Sequence, residues 1–266
     1  MIKSFTVHNY LQCISECSKN SICSIAIIDS FNCKIYKYIE ITDSNTIYSL
    51  TSSIYLKKEI KDVNSSAQMT SKYLIHYWPF NGNYDDVISN ANLFNGINDE
   101  LVVDRFGRSN SSLYLNYGQL QAPNGVYIYG DFTLTTWVKM YTLEGLRTFF
   151  MLRLPIAKQI FFSLSTATEL QPYFTYKNGN QMANASLIVG KWQHLAFTNQ
   201  ETLHSIYIDG FLVYSGLTTS IDDQNRASIY FGTDLTYFVR AEFDDIKIYN
   251  KSLTQNEIVQ SSFENF

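Results

Sequence analysis

From Tyr73 onward the sequence is a succession of strand-length runs, each ended by Gly, Asn, Asp or Pro. The runs are LIHYW, SLYLNY, FTLTTWVKM, RTFFMLRL, QIFFSLS, PYFTYK, ASLIVG, WQHLAFT, HSIYID, FLVYSG, ASIYFG and EFDDIKIY. Their β-branched and aromatic residues suit a pleated, half-buried surface. Many short strands with frequent turns and almost no helix predict an antiparallel β-sandwich. Asp209-Gly210, set between Ile206/Ile208 and Leu212/Val213, predicts a two-residue hairpin. One helical turn is expected near the end, where Thr254 and Glu257 form a capping box ahead of Ile258 and Val259.

The chain is 45% hydrophobic and 17% charged, enough to bury a sizeable core. Its 20 Tyr and 18 Phe lean the same way as the strand runs, towards β structure. A net charge of -4 with no basic run argues against an electrostatic nucleic-acid binder. No apolar run approaches the roughly 20 residues that span a bilayer, so no transmembrane segment is expected.

The N-terminal part is different. All four cysteines lie within the first 33 residues. Val7, Tyr10, Leu11, Ile14 and Cys17 fall at helical spacing and predict a helix from about residue 8 to about residue 19. Cys13 and Cys17 are one turn apart and emerge on one face of it. The extended runs CSIAIIDS, CKIYKY and SIYLKK follow. Four cysteines admit three disulfide pairings or a zinc site, and the absence of C-x2-C pairs favours disulfides. Over residues 5–58 this arrangement resembles a PAN/apple domain, and the resemblance implies Cys13–Cys33 and Cys17–Cys23 pairs. KDVNSSAQMTSK is polar and reads as a linker. The expected division is therefore 1–60, linker 61–72 and 73–266. N-x-[ST] sequons at Asn64, Asn110, Asn184 and Asn250, taken with the cysteines, favour a secreted glycoprotein. The stretch MIKSFTVHNY lacks a signal-peptide core, so the signal peptide is expected outside this chain.

The order YWPFNGNYDD, DRFGRSNSSLYLN, DFTLTTWVKM, GKWQHLAFT, LHSIYIDGFLVYSG, FGTD, FDDIKIYNKSLTQNEI resembles the laminin G-like domains of the concanavalin A-like lectin/glucanase superfamily. The resemblance covers nearly all of residues 73–262. It implies a jelly roll of two large antiparallel sheets with its ends close together.

That superfamily includes glucanases, whose E-x-D-x-x-E pattern supplies the carboxylate pair of a retaining glycosidase. The nearest match runs from Glu242 through Asp244 to Lys247, and a lysine cannot be the second carboxylate. There is no G-x-S-x-G, and His8, His76, His194 and His204 show no H-E-x-x-H spacing. No catalytic residues are expected. Calcium, which takes six to eight oxygen ligands, could be held by Asn83, Asp85, Asp86 and Asn90 meeting Asp244 or Asp245. Adjacent aspartates on a strand point to opposite faces, so at most one of that pair should face the ion. The plainer alternative is an Asx turn and a solvated acidic strand. Trp78, Trp137 and Trp192 are assigned to the core. Tyr141, Tyr173, Tyr176, Tyr237 and Phe238 are the expected ligand-binding aromatics. Together these features predict an extracellular, calcium-assisted recognition or adhesion protein that binds carbohydrate or glycoprotein without catalysis. The alternatives are a structural spacer and a divergent glycoside hydrolase.

Overall fold

The computed structural model describes residues 3–6, 25–29, 32–36, 52–56, 70–142, 147–153, 159–164, 171–176, 179–217 and 227–262. The chain divides into two compact units, Met1–Ser66 and Ala67–Phe266. In the first, β1 (Lys3–Thr6), β2 (Ile25–Asp29), β3 (Asn32–Tyr36) and β4 (Ser52–Leu56) form an antiparallel sheet in the order β1-β3-β2-β4. Cys33 lies in β3, opposite Phe5 and Ile28. The expected helix, Cys13, Cys17, Cys23 and Asn64 lie outside the described residues, and with them the disulfide pairing.

The second unit carries β5 (Leu74–Trp78), β6 (Phe94–Val102), β7 (Ser112–Gly125), β8 (Phe132–Met140), β9 (Arg147–Arg153), β10 (Gln159–Leu164) and β11 (Pro172–Tyr176). It continues with β12 (Gly179–Met182), β13 (Trp192–Gln200), β14 (Leu203–Ile208), β15 (Phe211–Leu217), β16 (Ala227–Phe231) and β17 (Val239–Tyr249). A short helix α1 (Gln255–Ser261) follows. LIHYW and FTLTTWVKM coincide with β5 and β8. Asp209 and Gly210 both take positive φ, 51° and 81°, as the hairpin turn between β14 and β15 requires. The capping box of α1 forms as expected.

Three segments differ from the sequence reading. ASLIVG is not a strand: Ile188 and Val189 are exposed, and the run ends in a turn at Gly190. β12 is too short and polar to announce itself. β6, FNGINDELV, lacks alternation because it is an edge strand kinked by positive φ at Asn95 and Asn98.

The two expected sheets are joined through β7. Along one edge β7 pairs with β6 from Ser112 to Gln121. On its other edge Leu113–Gly118 pair with β17, and Leu120–Gly125 pair with β16. The sheet therefore forks near Gly118, which a Cβ would drive into the carbonyl oxygens of Ile97 and Asn98. One branch runs β17-β8-β13-β14-β15 and the other β16-β9-β10-β11-β12. Aromatic rings from the two branches meet between them: Phe149 on Phe243 at 5.9 Å, and Phe162 on Phe197 at 4.9 Å. Such edge-to-face pairs add to the burial of large rings.

Two buried histidines make this core sensitive to acid. Burial, helped by the charges of Lys247 and Arg105, drives the pKa of His194 down to about 3. Burial drives His204 down to about 4, against a hydrogen bond to the Thr198 carbonyl. Both stay neutral when folded, whereas the unfolded chain takes up protons below about 6.5. Stability is thus full above that value and falls as the pH drops, by up to about 1.4 kcal/mol per pH unit for each histidine. Burial raises Asp209 to about 6, which acts in the opposite direction between its ordinary value and 6. Urea midpoints are therefore expected to fall from pH 7 to pH 4.5, and Asp209→Asn to steepen that fall. A midpoint independent of pH over this range would refute the assignment.

Candidate functional site

The strand β17 determines what the face opposite the core can carry. Its buried apolar residues are Val239, Ala241 and Phe243, then Ile246 and Ile248, so the alternation changes phase at Asp244-Asp245. A β-bulge does this: the register passes from Asp244↔Trp137 to Lys247↔Thr135, and Asp245 takes φ 49°. The expectation that adjacent aspartates face opposite ways is corrected here. Both carboxylates receive the guanidinium of Arg105, Asp244 from Nη1 and Asp245 from Nη2 at 2.5 Å. The Tyr77 hydroxyl donates to Asp245 Oδ1 at 2.5 Å.

Arg105 is aimed inward by its own loop. Asp104 Oδ1 accepts from the backbone of Phe106 and Arg108, and Asp104 Oδ2 takes the Arg108 Nε at 2.6 Å. The Arg105 side chain is 2% exposed and lies 4.8 Å over Trp137. Burial, then the charge of Asp245, holds the Asp244 pKa well above the ordinary carboxylate range, against the pull of Arg105.

The other acidic segment is closed on itself. Asp86 Oδ1 accepts from the backbone of Tyr77, Ile88 and Ser89. Asp86 Oδ2 is bonded to His76 Nδ1 at 2.7 Å, to the Ser89 hydroxyl, and to Ala91 N at 3.4 Å. Burial opposes ionisation of Asp86, but these donors outweigh it and hold its pKa far down. Asn83 Oδ1 accepts from Asp85 N, and exposed Asn90 turns at φ 57°. Tyr77 stands between the two acidic segments, its N–H on Asp86 and its hydroxyl on Asp245. Placed so, Asn83, Asp85, Asp86, Asn90, Asp244 and Asp245 do not fit a shared calcium ion. Both oxygens of Asp86 and of Asp245, and Oδ2 of Asp244, already accept from protein donors, and Asp244 Oδ1 is buried without a hydrogen bond among the described residues. No group of three His, Cys, Asp or Glu that could hold a metal exists among the described residues. Nor is His76 the base of a nucleophilic triad: Ser89 Oγ and Asp86 Oδ2 both address Nδ1, whereas a triad uses the two ring nitrogens separately.

One row further along β17 the same face is half-buried. Tyr114, Glu242, Lys139 and Trp192 are register neighbours across β7, β17, β8 and β13. Glu242 is 5% exposed; its Oε2 pairs with Lys139 Nζ at 2.6 Å, and its Oε1 accepts from the Tyr141 hydroxyl. Lys139 lies 5.4 Å from the Trp192 ring and 5.3 Å from that of Tyr141. Tyr114 and Tyr141 meet edge-to-face at 5.4 Å. Arg240 Nε donates to the Tyr114 hydroxyl at 3.0 Å, with its guanidinium 5.5 Å from the Tyr141 ring. The result is a platform of half-buried rings and fixed charges on a rigid sheet.

Trp78 and Trp137 are buried as expected, but Trp192 is half-buried on this platform and does not belong to the core. Tyr141 stands at the platform. Exposed Tyr237 and half-buried Phe238 lie on the turn before β17, which Asp234 fastens by accepting from Thr236 and Tyr237 N–H. Tyr173 and Tyr176 lie on β11, in the other branch, three strands beyond β16, and are not brought to Tyr141. Tyr114, Lys139, Trp192, Arg240 and Glu242 as a set escaped the sequence reading. The signal for them was the phase change in VRAEFDDIKIY, which sorts Arg240, Glu242 and Asp244 onto one face.

The concanavalin A-like lectin/glucanases superfamily model matches residues 115–259. The chain belongs to that superfamily. Comparison with curated proteins finds no match. Among solved structures, this concanavalin A-like chain is similar to domain 4 of AbnA, a GH43 extracellular arabinanase from Geobacillus stearothermophilus, in complex with arabinotriose. That likeness has 18% identity and a TM-score of 0.60, over 71% of this chain and 97% of that one. It is also similar to botulinum neurotoxin type C, which interacts with two ganglioside molecules, at 17% identity and TM-score 0.56 over 75% of this chain and 53% of that one. A third likeness is to Trypanosoma rangeli sialidase, at 18% identity and TM-score 0.55 over 71% of this chain and 32% of that one. The chain thus spans about half of the toxin chain and a third of the sialidase chain. At these identities the likenesses show the fold.

Arg105→Ala leaves two buried carboxylates without their cation, and is expected to cost about 3–5 kcal/mol in urea unfolding. Adding Asp244→Asn and Asp245→Asn to it should restore part of that loss. An Arg105→Ala protein as stable as the parent would show that the cluster holds nothing. The melting temperature is expected to be the same in EDTA and in excess calcium; a rise with calcium would reinstate an ion that the described carboxylates do not accommodate.

Proposed function

We propose that this superfamily domain is a non-catalytic carbohydrate-binding module whose binding face is the Tyr114–Glu242–Lys139–Trp192 row with Tyr141 and Arg240. The observation that carries the reading is this half-buried row of rings and charges locked to one another on a sheet. A sugar ring presents a C–H face to an aromatic side chain and a rim of hydroxyls to polar groups, and the row offers both at fixed positions. Side chains already held by mutual contacts lose little freedom on binding. The arabinanase domain is in complex with arabinotriose and the neurotoxin interacts with ganglioside molecules, which supports the reading.

Catalysis is not part of the proposal. The glucanase type of glycoside hydrolysis uses two presented carboxylates. Glu242 is committed to Lys139 and Tyr141, and Asp244, two residues on and on the same face, is buried against Arg105. An extracellular setting and a glycan or glycoprotein partner belong to the same proposal. It is supported by the exposure of the sequon residues Asn110, Asn184 and Asn250. A disulfide-stapled first unit would suit that setting.

A glycan array followed by calorimetry on the best ligand tests the reading. Trp192→Ala is expected to weaken binding by about tenfold or more, as loss of a central aromatic contact does, with the melting temperature preserved. Binding untouched by Trp192→Ala but abolished by Tyr237→Ala would move the site to the turn before β17. A blank array would favour the spacer reading.

A further inference from the structure

We propose that the saccharide taken by this platform carries a carboxylate, as a sialic or uronic acid residue does, and that Arg240 is the residue that recognises it; the proposal rests on the carbohydrate-binding reading above. The first support is the state of the guanidinium. Arg105, Arg108, Lys139 and Lys251 are each ion-paired with a carboxylate. Among the described residues Arg240 has no carboxylate partner, and its contacts are the Tyr114 hydroxyl and the Tyr141 ring. Glu242, two residues away on the same face, is already neutralised by Lys139. Glu100, the cross-strand neighbour of Tyr114 on the far side, forms no ion pair with Arg240.

The second support is orientation. Arg240 Nε is tied to Tyr114 and the guanidinium stands by the Tyr141 ring, so the two Nη groups are left to face a ligand. A planar fork held in this way matches the two oxygens of a carboxylate. The third is charge balance. The chain as a whole is negative, at -4, yet the platform presents one pair that cancels and one cation that does not. An acidic sugar would supply the missing charge while its ring packs on the aromatic neighbours.

The test compares one carboxylated oligosaccharide with its carboxyl-reduced analogue and a sulfated one, on the parent protein and on Arg240→Ala and Arg240→Lys. The parent should prefer the carboxylated ligand, and added salt should weaken that binding. Arg240→Ala should lower its affinity by about 10- to 100-fold, the effect of losing hydrogen bonds to a charged group. Binding of the reduced analogue should fall by less, so that the preference for the carboxylated ligand is lost. Arg240→Lys should recover only part of the loss, since an ammonium cannot reproduce the fork. Because Arg240 is at the surface, unchanged melting temperatures would confirm that the variants fold. Equal binding of the acidic and reduced ligands overturns the carboxylate assignment and leaves the carbohydrate reading standing. Preference for the sulfated ligand overturns it too. No binding to any saccharide overturns both readings.

Discussion

A single extra residue in β17 sets the layout of the second unit. Before Asp244 the even-numbered residues of this strand face away from the core, and after the bulge the odd-numbered ones do. Without it, Ile246 and Ile248 would share a face with Glu242 and Asp244, and Lys247 would enter the core. An inserted residue in left-handed conformation costs local strain and one ladder hydrogen bond. The Arg105 cluster offsets that cost: it needs both aspartates on one side, and only the bulge delivers them. Bulge and ion cluster therefore require each other.

The outward face is then graded along the strand. Ala196, Tyr249 and Tyr77 lie under α1 with Leu253 and Ile258. The next row, Asp244–Trp137–His194, is covered by Arg105, and the Trp137 indole donates to Ser262 at the end of α1. In the following row Lys139 and Trp192 are half-buried, with Glu242 buried between Lys139 and Tyr141. Among the described residues, the DRFGR loop and the C-terminal helix cap this face and stop one row short of it. Residues that would be core aromatics and buried charges elsewhere on the same face thus become a platform here.

Much of the scaffold was legible because its cause is local. LIHYW and FTLTTWVKM read as strands from alternation and β-branching alone, the hairpin turn from an Asp-Gly pair that accepts positive φ, and α1 from its capping box. ASLIVG misleads because its apolar content suggests burial, whereas Ile188 and Val189 are exposed beside the turn at Gly190. β6 failed because bulges at Asn95 and Asn98 erase the period by which strands are recognised. In sequence the acidic pair suggests metal ligands because the cation that pairs with it, Arg105, lies some 140 residues away. Sequence places Trp192 in the core because tryptophan in an apolar run usually belongs there. Its exposure depends on where the caps end, and no neighbouring residue records that.

The same reasoning separates what the site's residues do. Glu242 has the chemistry of a catalytic carboxylate and the position of one in the glucanase pattern, yet its surroundings give it a different task. A buried carboxylate flanked by Lys139 and the Tyr141 hydroxyl stays paired, and through those bonds it fixes the ring of Tyr141 and the ammonium beside Trp192. Neutralising Glu242 would release both groups at once, since each is oriented by the charge between them. Arg240 then differs from Lys139 in kind: one cation is spent inside the platform and the other is left for whatever lies on top of it.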